Sequence, residues 1–307
     1  VSRDDFLAYL DEYARRFGIE PEFGVDVARL DRVGSLWRLD TSAGARQASA
    51  VVMATGYSRI PFVPDWPGRG SFTGAMIHSA DYRSPTWYSG QQVLVVGAGN
   101  SASEIAVELA KAGAKVDLSV RTVPNIVRRD TFGIPSQLLG IALKNTPELL
   151  MNPLSTALRR LTVPSLDRYG LPAPRSGAFT QFLRTCTVPI LDHGFVQQVR
   201  HRRITVVSAV AEVAGNTIRL VDGTALRPDA VICATGYRPG LSSIVGHLNV
   251  LNADGVPIVH GPQSYRAAPN LYFVGITVEL AGLLREIGLE ALAVGRVLAN
   301  RHGALSV

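Results

Sequence analysis

The segment Val93–Ala110, VLVVGAGNSASEIAVELA, constrains this chain more than any other. It reads as an apolar strand, a glycine turn and a helix, and the strand pattern KVDLSV follows it. Gly97, Gly99 and Ala102 give the spacing GxGxxA. In such a turn the first glycine permits the reversal and the second lets backbone approach a pyrophosphate. The third small residue allows the helix to pack close to the strand. A helix starting near Asn100 directs unpaired N–H groups and the positive end of its dipole at the phosphates. Strand, turn, helix and second strand in this order predict a dinucleotide-binding βαβ unit.

Specificity is read from the end of the second strand. An acid there would bond a ribose 2′-hydroxyl and repel a 2′-phosphate. This strand instead ends SVRT, with Arg121 24 positions after Gly97 and Thr122 beside it. A guanidinium and a hydroxyl suit a phosphate, so NADP(H) is expected over NAD.

A closing pattern occurs twice. Residues 50–57 read AVVMATGY and residues 230–237 read AVICATGY, each a short strand ending in Ala-Thr-Gly. Each follows strand-like runs, EFGVDVARLDRV with SLWRLDTSAG, and ITVVSAVAEVAG with NTIRLVDGTAL. Asp222-Gly223 in the last run is a hairpin signal. The second copy has the fingerprint upstream. The first has only isolated glycines before it, Gly18, Gly24, Gly34 and Gly44. The expectation is an α/β chain of two Rossmann-like, three-layer dinucleotide-binding domains, the first truncated at its N-terminus. Residues 2–17 predict a helix with Ser2 as N-cap, Gly18 as terminator and a stripe of Phe6, Leu7, Leu10, Tyr13 and Phe17 to pack on that domain. The run after Leu283 predicts a second amphipathic helix.

The composition narrows the function classes. With 307 residues and 47% hydrophobic content the chain has ample material for a core. Cys186 and Cys233 form no CxxC and no metal-like spacing, so neither metal nor dithiol chemistry is expected. Few cysteines, no signal-peptide pattern and no apolar run near the roughly 20 residues of a membrane span point to a cytoplasmic setting. The net charge of +6 is carried by scattered doublets such as Arg128-Arg129 and Arg202-Arg203, without interleaved aromatics. That is no nucleic-acid surface; an anionic small ligand fits better.

Residues 55–85 form a proline- and glycine-rich connector containing Phe72, Gly74, His78 and Tyr82, an FxGxxxHxxxY pattern. With the GAGNSA fingerprint and both ATG strand ends, the chain resembles class B flavin-dependent monooxygenases, the flavin-containing monooxygenase and YUCCA-like family, from about Arg3 to His302. The resemblance implies an FAD-binding domain with connector at 1–89 and 236–307, interrupted by an NADPH-binding domain at 90–235. It implies that Gly97, Gly99, Asn100, Ser101 and Ala102 cradle the NADPH pyrophosphate and that Arg121 and Thr122 take the 2′-phosphate. Thr55 and Gly56 would lie at the domain junction, and Val27 would pair by backbone with the FAD adenine. His78 and Ser79 would hold the connector, with no acid–base role for His78. Gly275, Thr277 and a helix start near Leu280 would approach the flavin ring. The family's own first GxGxxG, which holds the FAD pyrophosphate, is not among these residues.

The implied reaction transfers one oxygen atom from O2 to a small lipophilic N-, S- or carbonyl-containing substrate, with NADPH as reductant and no assigned catalytic side chain. Two alternatives stay open: an inactive NADP-binding remnant without flavin, and a flavin-linked NADPH reductase. A helix-rich insertion at about 133–172, rich in leucine, has three readings: ordinary packing, a lining for a lipophilic substrate channel, or a membrane-docking face.

Overall fold

A computed structural model describes residues 2–304 apart from 132–133, 137, 139–140, 142–155, 158, 186 and 279–281. Almost half of the leucine-rich insertion, together with Leu280 and Cys186, therefore lies outside the described residues. The chain divides into two compact units. One comprises Val1–Met53, Gly240–Val259 and Ser264–Tyr272. The other comprises Ala54–Pro239, His260–Gln263 and Phe273–Val307.

In the first unit, helix α1 (Arg3–Phe17) forms as its end signals predict. Ser2 and Asp5 close a reciprocal capping box, and Gly18 adopts the left-handed C-cap conformation at φ 60°. The predicted apolar stripe is present but covers nothing: no residue of α1 is buried. The helix is held locally instead, by its caps, an Arg15–Glu12 ion pair and a ring ladder running Phe6, Tyr9, Tyr13 and Phe17. A meander follows, β1 (Val27–Val33), β2 (Leu36–Thr41) and β3 (Gly44–Ala48), all antiparallel neighbours. Strand β4 (Val51–Met53) comes next. Leu30 and Trp37 are fully buried, and the Trp37 indole N–H donates to the Pro269 carbonyl at 3.0 Å. Arg32 lies over the same indole, 5.5 Å from its centroid, and donates to the same carbonyl.

The second unit is built on a five-stranded parallel sheet. Its strands are β5 (Ala75–His78), β6 (Gln92–Val96), β7 (Lys115–Ser119), β10 (Ile204–Val207) and β14 (Ala230–Cys233), in the order β10-β7-β6-β14-β5. Helix α2 (Asn100–Lys111) connects β6 to β7. Between β7 and β10 lie a parallel pair, β8 (Ile126–Arg128) with β9 (Ile190–Asp192), and helix α3 (Phe195–Arg200). Before β14 comes a second meander, β11 (Val210–Ala214), β12 (Thr217–Leu220) and β13 (Ala225–Leu226). Strand β15 (Leu271–Phe273) begins in the first unit, where it pairs with β4, and helix α4 (Leu283–Ala304) of the second unit ends the described chain.

This sheet is covered on both faces, which explains why Val93–Val96, VLVV, is apolar throughout rather than alternating. Val93, Val95 and Ile232 pack with Ala102, Ile105, Ala106 and Leu109 of α2 on one side. Leu94, Val96, Val231 and Cys233 pack with Ile218 and Leu220 of the meander on the other. The internal repeat is thus real: a three-stranded meander feeds β4 in one unit and β14 in the other. Two details depart from the sequence reading. ITVVSAVAEVAG is two strands, because Ile204–Val207 joins the parallel sheet and Val210–Ala214 the meander. The connector, read as loop, contributes β5 to the sheet edge, where its main chain gains the ladder with β14.

Candidate functional site

The fingerprint turn leaves β6 at the point where the sheet reverses its strand order. From β6 the chain passes through α2 to β7 on one side, while β14 lies on the other. Open parallel sheets bind ligands beyond the carboxyl ends of their strands at such a switch point. Gly97 is held there by its N–H, which donates to the Ser119 carbonyl at 3.1 Å. Its φ is +138°, and a Cβ would come within 2.3 Å of the Ala234 carbonyl oxygen. The fold itself demands glycine at this position.

Gly99 is different. It caps α2 in an extended conformation, φ −103°, that any residue adopts, and a Cβ built on it meets nothing within 4 Å. Neither strain nor packing explains a glycine there. Open space beside a bare backbone is what a bulky anion needs in order to approach. The first intrahelical bond of α2 runs from Ser103 N–H to Gly99 O, and no side chain caps the helix. The N–H groups of Asn100, Ser101 and Ala102 are therefore the unpaired donors of the first turn. Ala102 is fully buried and supplies packing, lying against the Gly97 turn. The Ser101 side chain is exposed. The Asn100 side chain is already committed: Oδ1 accepts the Leu191 N–H at 2.8 Å and Nδ2 donates to the Pro189 carbonyl at 3.3 Å. What Asn100 has left for a phosphate is its main chain. These features fit a dinucleotide pyrophosphate.

Arg121 and Thr122 follow β7 and are exposed. Arg121 has no ion pair or hydrogen bond among the described residues, and it follows by two positions Ser119, whose carbonyl accepts the Gly97 N–H. His78 and Ser79 lie one strand beyond β14. His78 is 4% exposed. Its Nδ1 accepts the Ala80 N–H at 3.1 Å, and its Nε2 lies 2.9 Å from the Gly236 carbonyl. The first bond makes Nδ1 the acceptor, so the proton sits on Nε2 and the ring is neutral. Tyr237 packs edge-on against it at 4.8 Å. Ser79 N–H donates to the Cys233 carbonyl at 3.0 Å. Thr235 Oγ1 donates to the Phe62 carbonyl, a second tie of the connector to this turn.

Other predicted positions are spread along the chain. Thr55 and Gly56 begin the second unit, with Gly56 at φ 66°. Val27 opens β1 opposite Thr41, in the first unit. Gly275 and Thr277 follow β15, with Gly275 at φ 69°. The Gly275 N–H donates to Glu290 Oε2 at 2.8 Å.

Sequence reading named Tyr82 and Cys233 but not the surroundings that the fold gives them. Tyr82 donates to Glu108 Oε2 at 3.1 Å, and its phenol is pushed above its usual range by burial and then by that carboxylate. Burial raises the Cys233 thiol to about 11, against a smaller opposing effect of Arg69. A thiol in that state is no redox nucleophile. Among the described residues no three His, Cys, Asp or Glu side chains cluster as a metal site, and no helix is long and apolar enough to cross a membrane.

A family model described as pyridine nucleotide-disulphide oxidoreductase matches residues 1–132. A probable indole-3-pyruvate monooxygenase, YUCCA3 of Arabidopsis thaliana, is 32% identical over 308 residues, covering 96% of this chain and 70% of that protein. The indole-3-pyruvate monooxygenase YUCCA1 of Oryza sativa subsp. japonica is 33% identical over 281 residues, covering 90% of this chain and 69% of that protein. Among solved structures, a flavin-containing monooxygenase from Stenotrophomonas maltophilia has a TM-score of 0.67 at 24% identity, covering 97% of this chain and 77% of that one. An OTEMO complex with FAD and NADP has a TM-score of 0.71 at 15% identity, covering 99% and 71%. The last two support the fold.

Proposed function

Because this chain belongs to the flavin-dependent monooxygenase family that includes the YUCCA enzymes, whose members use FAD and NADPH, we propose that it holds NADPH on the amino end of α2. Main-chain N–H groups of residues 99–102 bind the pyrophosphate, and Arg121 with Thr122 binds the 2′-phosphate. The observation that carries this reading is Gly99, a glycine the fold does not require, beside a helix start with unpaired donors. The NADPH-binding domain is assigned to 90–235 and the FAD-binding domain to 1–89 and 236–307.

When bound, flavin supplies the electron transfer and oxygen activation that no side chain of this protein provides. The protein's own work is placement and dryness. The α2 donors and Arg121 fix one end of the dinucleotide. The neutral, fully hydrogen-bonded His78 ties the connector to the Gly236 turn and moves no proton. The Gly275 turn, with Thr277, offers backbone to the flavin ring.

The reaction transfers one atom of O2 to a small lipophilic N-, S- or carbonyl-containing substrate. The carbonyl arm is favoured by the α-keto acid in the names of the YUCCA relatives. The test is incubation with FAD, NADPH and 18O2 in the presence of an α-keto acid, an amine or a thioether. One labelled oxygen in a product, dependent on NADPH, is expected. NADPH consumption with unlabelled products from every class would refute the oxygen-transfer reading.

A further inference from the structure

Three stretches of the second unit converge on one carboxylate. Glu290 lies on α4 with its side chain only 15% exposed. Its Oε2 accepts the Gly275 N–H at 2.8 Å, and its Oε1 lies 2.5 Å from His260 Nδ1. The segment carrying His260 is itself tied to the end of β15, because Gly261 N–H donates to the Phe273 carbonyl at 2.8 Å. Gly261 and Gly275 both adopt left-handed conformations, φ 64° and 69°. A Cβ on Gly275 would come within 2.9 Å of Ile287 Cγ1, one turn before Glu290 on the same helix face.

A surface turn needs none of this. A carboxylate removed from water is costly unless its oxygens are bonded, and here both are. The partners are a main-chain N–H at a strand end and an imidazole, so the arrangement fixes backbone rather than neutralising a stray charge. The fixed backbone is the start of the 275–277 turn. We propose that Glu290 is a positioning residue for the flavin-facing turn Gly275–Thr277, and that His260 holds its carboxylate in the orientation that grips the Gly275 N–H. This rests on the assignment of Gly275 and Thr277 to the flavin ring.

The test compares the full chain with Glu290→Ala, Glu290→Gln and His260→Ala. FAD affinity is read by fluorescence, the bound flavin by visible circular dichroism, and amide hydrogen exchange over 271–278 by mass spectrometry. Glu290→Ala is expected to weaken FAD about tenfold, the scale of one charge-assisted hydrogen bond. It should also alter the flavin dichroism and speed exchange in the turn. Glu290→Gln keeps an acceptor for Gly275 and turns its amide N–H2 to His260, whose Nδ1 then accepts in the other tautomer, and is expected to stay within about twofold of the parent. NADPH affinity should not move in any variant. Unchanged exchange in Glu290→Ala would overturn the proposal, as would a Glu290→Gln loss as large as that of Glu290→Ala. If Glu290→Ala does not fold, His260→Ala decides: faster exchange supports the grip and unchanged exchange refutes it. A parent chain that binds no FAD would sink the flavin assignment, whereas a parent that binds FAD beside an unaltered variant sinks only the role of Glu290.

Discussion

The imidazole of His78 donates through Nε2 to the carbonyl oxygen of Gly236 over 2.9 Å, joining the connector to the turn that ends β14. The same ring accepts from Ala80 through Nδ1. Both nitrogens are spent on main chain inside a nearly closed environment, so the histidine acts as a two-ended clamp.

His78→Ala leaves the Gly236 carbonyl and the Ala80 N–H, both only partly shielded from water, without their partner and removes the ring from Tyr237. A loss of about 2–4 kcal/mol is expected. His78→Asn keeps an acceptor near the Nδ1 position and His78→Gln a donor near Nε2, so each should fall between parent and alanine. Chemical denaturation at neutral pH checks the order.

The two fingerprint glycines should separate folding from binding. Gly97→Ala drives a methyl into the Ala234 carbonyl at a left-handed φ, and a cost of about 2–5 kcal/mol is expected. Gly99→Ala meets no atom and should cost only about 0.5–1 kcal/mol at the helix cap. It should nevertheless weaken NADPH about tenfold by filling the approach to the backbone. Thermal denaturation and titration calorimetry on the pair distinguish the two effects.

Arg121→Ala should raise the NADPH dissociation constant about 10- to 100-fold while leaving NADH nearly unchanged, because only NADPH carries the 2′-phosphate. The difference should shrink in high salt, since the side chain is exposed. Equal losses for both coenzymes would remove Arg121 from the phosphate site.

Cys233 offers a pH test. Its thiol is raised from an ordinary 9.0 to about 11 in the folded chain, mainly by burial. The unfolded chain therefore loses this proton first. Stability is unaffected by this group below pH 9 and falls as pH rises from 9 through 11, by about 2–3 kcal/mol in all. Cys233→Ala should flatten that part of the profile. In a Cys186→Ser background, alkylation of the folded protein at pH 8 should be slow and should accelerate on unfolding.

The legible parts of this fold were local. Ser2, Asp5 and Gly18 announce α1 because caps are made by neighbours in sequence. GxGxxA announces the βαβ unit because its three small residues act within six positions. The ATG repeat was visible because both copies retain strand, turn and length. What stayed hidden depends on partners far along the chain. Strand β5 is only four residues in a proline-rich stretch and exists because β14 accepts it. Glu290 reads as one more polar residue on an amphipathic helix until the chain brings His260 and Gly275 to it. Asn100 looks like a ligand-binding side chain until Pro189 and Leu191 are seen to occupy it. A glutamate flanked at helical spacing by Ile287 and Val294, on the face meant to be apolar, was the available hint.

The contact of Gly97 with the Ala234 carbonyl has a consequence for divergence. Two main chains meet there without an intervening side chain, so the width of the cleft floor is set by backbone alone. Substitutions along the flanking strands can accumulate without altering that gauge. A lineage can thus exchange two thirds of its residues and keep the same seat, provided that one hydrogen atom is never replaced by a carbon.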